Sequence, residues 1–244
     1  MGESGIVLRM DRESEALLFR LGAWGGFVIA IVYLAEFGVV ARWGLPPSTV
    51  ETVFAVFAEG RYTGLLRVFA FDLVAATMHL PLFLALFVAL AGEKRAVVPM
   101  MFALLCALVG LAAFYAANTV ISMLSLSDQF AAASTGVQRE RLLAAGQAML
   151  GSFRFDNTGL FMAFDLYAIA GMLACSVMRR SDRFTRRTAW LGLLGNAIQL
   201  APPRGVGPAF YFEVISPLQI GIGGVLLIAW YISLFVDFHR AAAD

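Results

Sequence analysis

Acidic residues, one histidine and a few amides lie inside stretches of this chain that are otherwise almost wholly apolar, and they are the residues with chemistry to offer. Asp72 and His79 stand seven residues apart, a spacing that returns nearly to the same helical face about 10 Å along the axis. An acid and a histidine on one face can hold or relay a proton, and Asp165 adds a second acid. Asn118 shares a helical face with Tyr115 and Ser122, and Asn196 shares one with Gln199. If these faces converge, Asp72, His79, Asn118, Asp165, Asn196 and Gln199 line the base of a polar, ligand-binding pocket. The plainer reading is interhelical hydrogen bonding that only holds helices together, typically about 0.6 kcal/mol per contact. For Asp72 that reading is a pairing with Arg67 or another nearby arginine, and for His79 a bond to a neighbouring group. No basic residue lies within a turn or two of Asp165, which makes its carboxyl the hardest to dismiss.

The elements that must position these residues follow from composition. The chain has 244 residues, 60% of them hydrophobic and 14% charged, and its mean hydropathy is +0.80. That is a membrane protein's composition. Six apolar stretches are long enough to bound, at about 21–41, 68–91, 97–124, 159–178, 188–201 and 214–236. The spacing therefore predicts an all-α, polytopic bundle of six transmembrane helices forming one transmembrane domain over 1–244. The fifth stretch is the weakest, being short and stopped by Pro202-Pro203. Pro81 is expected to kink the second helix just beyond His79. The first apolar run is too long and too late for an ordinary cleaved signal peptide and is expected to stay in the mature protein.

Basic residues set the orientation, because cytoplasmic loops hold the excess. With the N-terminus inside, eleven of the 18 Lys and Arg fall on the inner side and seven on the outer, and the run Arg179 to Arg187 is the densest cluster. Both termini are expected in the cytoplasm. Glu36, Asp72, Asn118, Asp165, Asn196, Gln199, Glu213 and Gln219 then all fall in outer halves, while the inner halves hold little beyond Cys106, Cys175, Ser176, Tyr231 and Ser233. An outward polar vestibule over a dry apolar plug is the expectation.

Two outer loops read as short amphipathic helices. One begins at Ser48 as N-cap with Glu51 completing a capping box, and the other spans Gly136 to Gly151. Gly22, Gly26 and Ala30, and likewise Gly221, Gly223 and Gly224, form small-residue faces able to serve the bundle, a homo-oligomer or another membrane protein. A net charge of +1 leaves no field for nucleic acid. Cys106 and Cys175 have no partner at metal-ligand spacing and read as small buried hydrophobes. The one other histidine, His239, lies at the end of the last helix, so a bis-histidine haem or pigment site within one chain is excluded. No metal and no cofactor is expected.

The run Leu65-Leu66-Arg67-Val68-Phe69-Ala70-Phe71-Asp72-Leu73-Val74, continuing to the turn Ala91-Gly92-Glu93-Lys94-Arg95, resembles a bacterial family of six-span membrane proteins known only as a domain of unknown function. An Arg followed five positions later by an acid, an apolar run and a short basic turn carry the likeness. Gly159, the later basic turn, a short helix ending in proline, and a last helix with Pro217 and Trp230 extend it over most of the chain. Asp165 departs from that pattern. The resemblance implies six spans in a bacterial inner membrane and implies no activity.

No HExxH, CxxC, P-loop or Gly-x-Ser-x-Gly occurs, and no nucleophile has a nearby base. The expectation is a non-catalytic membrane protein, either a binder of a small or lipid-like ligand or an accessory subunit. The alternative is a small secondary transporter, proton-linked through Asp72, His79 and Asp165.

Overall fold

The computed structural model describes residues 11–93, 95–151, 160–200 and 218–243, and every regular element among them is helical. Chain order gives α1 (Arg12–Trp43), α2 (Val50–Glu59), α3 (Arg61–Arg67), α4 (Asp72–Leu90), α5 (Val97–Ala117), α6 (Val120–Ala132), α7 (Gly136–Gly151), α8 (Leu160–Met178), α9 (Arg186–Gln199) and, after a π-helical turn at Gln219–Gly223, α10 (Gly224–Ala241). Four segments are long and apolar enough to cross a membrane: Arg12–Trp43, Asp72–Leu90, Val97–Ala132 and Gly221–Ala241. Met162–Met178, within α8, is a shorter apolar helix.

Six helices close a ring in chain order. α1 packs on α4, α4 on α5, α5 on α8, α8 on α9, α9 on α10, and α10 returns to α1. Neighbours run antiparallel. At one end Phe19 of α1, Phe184 of the α8–α9 turn and Phe238 of α10 stack, with ring centroids 5.7 and 5.6 Å from Phe238, and Arg183 reaches Glu15 at 3.1 Å. At the other end Phe37 of α1 faces Gly224 of α10, and Gln199 of α9 bonds Gln219. The end where α1 begins and α10 ends is filled by fully buried Leu86, Leu90, Met100, Met178, Leu234 and Phe238. Asp237 is the buried acid there, and it accepts a 2.7 Å hydrogen bond from the Thr188 hydroxyl.

At the opposite end α2, α3, α6 and α7 pack on one another around a second apolar cluster of Val50, Val53, Phe54, Phe57 and Met123. Gly146 lets α7 lie directly on Val50 and Phe54. α2 is capped one residue later than the pattern suggested: Thr49 and Thr52, not Ser48 and Glu51, form the capping box, because Thr52 presents a hydroxyl to the cap backbone. α7 has the expected span.

Two expected spans start or stop elsewhere, and both differences shape the site. The stretch from Val68 does not run straight into the second apolar helix, because α3 ends in a Schellman turn: Ala70 N–H bonds Leu65 O at 3.0 Å and Phe69 N–H bonds Leu66 O at 3.2 Å. Phe69 takes the left-handed position at φ 54, which a side chain adopts only at some cost. Asp72 thereby becomes the first residue of α4. The third stretch breaks at Asn118, whose Oδ1 accepts the Val120 N–H at 3.2 Å. A short amide that competes for backbone donors ends the helix there, and the chain re-enters as α6. Residues 201–217, with Pro202, Pro203, Glu213, Ser216 and Pro217, and residues 152–159, with Gly159, lie outside the described residues.

Asp11 caps α1, accepting the Ser14 N–H at 2.8 Å. These Ser14 bonds hold its carboxyl below the usual carboxylate range.

The ring depends on close approach of α1 and α4. A Cβ on Gly22 would collide with the Ala85 side chain, and one on Gly25 would come within 2.9 Å of the Met78 carbonyl. Gly26 faces Tyr231 and Gly224 faces Phe37, whereas a Cβ on Gly221 would meet nothing within 4 Å among the described residues. Gly22→Leu is therefore expected to destabilise the protein by roughly 1–3 kcal/mol through overpacking, with Gly221→Leu close to neutral. Thermal unfolding of the two variants in one detergent makes the comparison, and equal melting points would contradict the packing described.

Candidate functional site: a buried carboxyl, tyrosine and histidine chain

One group of the ring's polar side chains lies where α1, α4, α8 and α10 face one another. His79, in the middle of α4, is buried. Its Nδ1 lies 2.7 Å from the Ala75 carbonyl and its Nε2 lies 3.0 Å from the Tyr231 hydroxyl of α10. A carbonyl only accepts, so Nδ1 carries a proton, and in the neutral ring the bare Nε2 accepts from the Tyr231 hydroxyl. Tyr167 of α8 stacks flat on the imidazole, with centroids 4.3 Å apart and planes 17° apart. Its own hydroxyl donates to the Ala76 carbonyl at 3.4 Å, which anchors the ring in that position.

Tyr33 of α1 packs edge-on against Tyr231, with ring centroids 5.9 Å apart and planes at 72°. Tyr33 is one helical turn from Glu36 and within electrostatic reach of both Glu36 and Asp72. The carboxyl groups of Glu36 and Asp72 hydrogen-bond to each other across the α1–α4 contact. Two carboxyls in such contact must have a proton between them, since carboxylates alone have no donor. Arg67 does not compensate Asp72; its guanidinium binds Glu59 at 3.1 Å. An apolar groove of about 380 Å³, lined by Tyr62, Leu65, Leu66, Ala70 and Phe71, ends one residue from Asp72.

Of the six residues singled out by sequence, Asp72 and His79 belong to this chain, and the other four have different settings. Asn118 ends α5. Asn196 is buried against Gly171 and donates to the Gly192 carbonyl at 2.7 Å. Gln199 and Gln219 exchange side-chain to backbone bonds at 3.0 and 3.2 Å, which ties the end of α9 to the π-helical turn. Asp165 is half-buried on α8, two residues before Tyr167. The groups holding His79 and Asp72 are Ala75, Tyr231 and Glu36, and Asp165 is not one of them.

Sequence reasoning passes over Tyr33 and Tyr167, and it places Glu36 and Tyr231 by depth alone, without their partners. Tyr33 and Glu36 sit at i and i+3 on α1, a visible signal, but a tyrosine in an apolar helix reads as packing until its partner is known. Among the described residues no group of three or more His, Cys, Asp and Glu side chains is placed to hold a metal ion. Both nitrogens of His79 are committed to protein partners, which leaves none to ligate a haem or pigment.

No protein-family model, curated protein or solved structure matches the chain.

Tyr231→Phe removes the one donor to His79 Nε2 and leaves a buried nitrogen unsatisfied. It is expected to destabilise the protein by about 1–3 kcal/mol, whereas Tyr115→Phe, on an exposed residue of α5, costs less. Chemical unfolding of both variants checks this, and an unchanged Tyr231→Phe would refute the hydrogen-bond directions.

Proposed function

We propose that this protein is a six-span integral membrane protein that binds a lipid-like, amphipathic ligand non-catalytically at an outward-facing polar site. The four long apolar segments, joined in one antiparallel ring with α8 and α9, support six spans. The excess of arginine around the α8–α9 turn and the termini supports a cytoplasmic placement for that end. A bacterial inner membrane is the setting that the six-span family resemblance implies. The carrying observation is that Phe71, which lines the apolar groove, is the chain neighbour of Asp72 in the Glu36–Asp72 pair. A ligand with an amine or hydroxyl head would meet the carboxyls while its chain lay along Leu65, Leu66 and Phe71, dividing polar from apolar parts as small-molecule sites do.

Two further readings stay open to test. The Glu36–Asp72 pair and the Tyr231–His79 hydrogen bond on the facing sides of α1, α4 and α10 favour a proton-linked transporter that uses Asp72, His79 and Asp165. An accessory-subunit role would place a partner span on the exposed face of α5, which carries Val98, Met101, Phe102, Leu105 and Val109, or at Gly221.

Native mass spectrometry of protein released from mild detergent decides between these. The expected result is a bound amphiphile on the wild type that is lost, by roughly tenfold or more in occupancy, from Asp72→Asn, as follows when a charged hydrogen-bond partner is removed. Wild type and Asp72→Asn both emerging bare would defeat the proposal, and a co-purifying protein would favour the accessory subunit.

A further inference from the structure

We propose that the seam between α8 and α9, where it opens at the basic turn, binds one anionic phospholipid, with the phosphate held by Arg179 and Arg186 and an acyl chain lying down the seam. The inference uses the membrane setting proposed above but not the outward ligand, since this seam opens at the Phe184 end of the ring, away from Glu36 and Asp72.

Charge is the first observation. Arg179, Arg180, Arg183, Arg186 and Arg187 are all exposed, and Asp182 is the one acid in the run. Arg183 reaches Glu15 at 3.1 Å, and among the described residues no salt bridge engages the other four. α9 opens inside this cluster with Arg186 and Arg187 as its first two residues and no acid in its first turn. The helix dipole disfavours cations at that end, so an anion from outside answers the guanidinium groups and the dipole together. All five cations are arginines. Lysine would serve orientation equally well, whereas the planar guanidinium fork matches a phosphate.

Geometry is the second. Arg179 prolongs α8, its N–H bonding the Cys175 carbonyl at 3.1 Å, and its guanidinium carbon lies 4.3 Å from the centre of the Trp190 ring on α9. Met172, Ser176 and Arg179 follow four- and three-residue steps, and Arg186, Trp190 and Leu193 repeat those steps on α9, so each set shares a helical face. The Arg179–Trp190 contact sets the two faces side by side. Arg179, Arg186, Trp190 and Ser176 are exposed, and Met172 and Leu193 are half-buried. Along α9 the surface passes from guanidinium to indole to aliphatic over about 10 Å. That order is the order of a phospholipid in one leaflet: charged head, interface, hydrocarbon. A soluble anion or an acidic peptide would engage the arginines alone and would have no use for the apolar half of the seam.

The test titrates the protein in mild detergent with dioleoylphosphatidylglycerol or with dioleoylphosphatidylcholine and counts bound lipid by native mass spectrometry. The wild type is expected to bind one phosphatidylglycerol roughly tenfold or more tighter than phosphatidylcholine. Arg179→Lys keeps the charge, and with it the orientation, but loses the fork and the contact with Trp190, and is expected to weaken that binding by roughly threefold or more. Arg179→Gln combined with Arg186→Gln abolishes the preference. Arg139→Gln, which removes an arginine 5.8 Å from the Phe130 ring at the other end of the molecule, leaves it unchanged. A wild type without preference, an unaltered Arg179→Lys, or an equal loss in Arg139→Gln would each overturn the proposal. Displacement of the lipid by inorganic phosphate or by polyglutamate would overturn the lipid as occupant. If the double variant does not fold, Arg179→Lys carries the test. Asp72→Asn is expected to keep its phosphatidylglycerol, so failure here and failure of the outward ligand reading are separate results.

Discussion

A hydrogen bond between two carboxyl groups, Glu36 on α1 and Asp72 on α4, sets the terms for the rest of this molecule. Ionisable side chains in a hydrocarbon setting cost about 2.5–3.5 kcal/mol each on insertion scales, and two of the same sign cost more unless they share a proton. The sequence places both on helices that must also pack closely. Gly22 and Gly25 let α1 settle onto Ala85, Pro81 and Met78 of α4, and that approach brings the far ends of the same helices together at Glu36 and Asp72. The Schellman turn at Phe69 completes the arrangement, because without it Asp72 would not open α4.

The two ends of the ring answer different physical demands. Where α1 begins and α10 ends, buried aliphatic and aromatic side chains fill the space, and the polar side chain of Asp237 is satisfied by Thr188. Toward the other end the polar row draws on three helices, with Tyr231 of α10 on His79 of α4 and Glu36 of α1 on Asp72 of α4. Such a row is stable only as a whole, since any member left alone in the interior would carry its full desolvation cost. The second apolar cluster, of α2, α3, α6 and α7, covers this end with a core of its own.

Apolar runs in the sequence underlie all six helices of the ring, four of which are long and apolar enough to cross a membrane, and the mixed polar and apolar pattern of Gly136–Gly151 marked that helix. Boundaries were less legible where a single side chain decides them, as Asn118 does by taking a backbone donor. The candidate site was readable only in part for a related reason. Periodicity tells which residues share a face, as with Asp72 and His79, but not which face of another helix meets it. Tyr231 looked like an inner-half residue on its own helix and proved to be the partner of His79. Asn196 and Gln199, equally polar in sequence, spend their amides on backbone carbonyls within α9 and the π-helical turn.

The claim on which this account rests is that Glu36 and Asp72 act on each other directly. A double-mutant cycle on unfolding free energy, with Glu36→Gln, Asp72→Asn and the pair combined in nanodiscs, measures that coupling. The account predicts a non-additive cycle, with an interaction energy of about 1–3 kcal/mol, in the range found for residues in direct contact. Single-mutant costs that simply add, within about 0.5 kcal/mol, would contradict it.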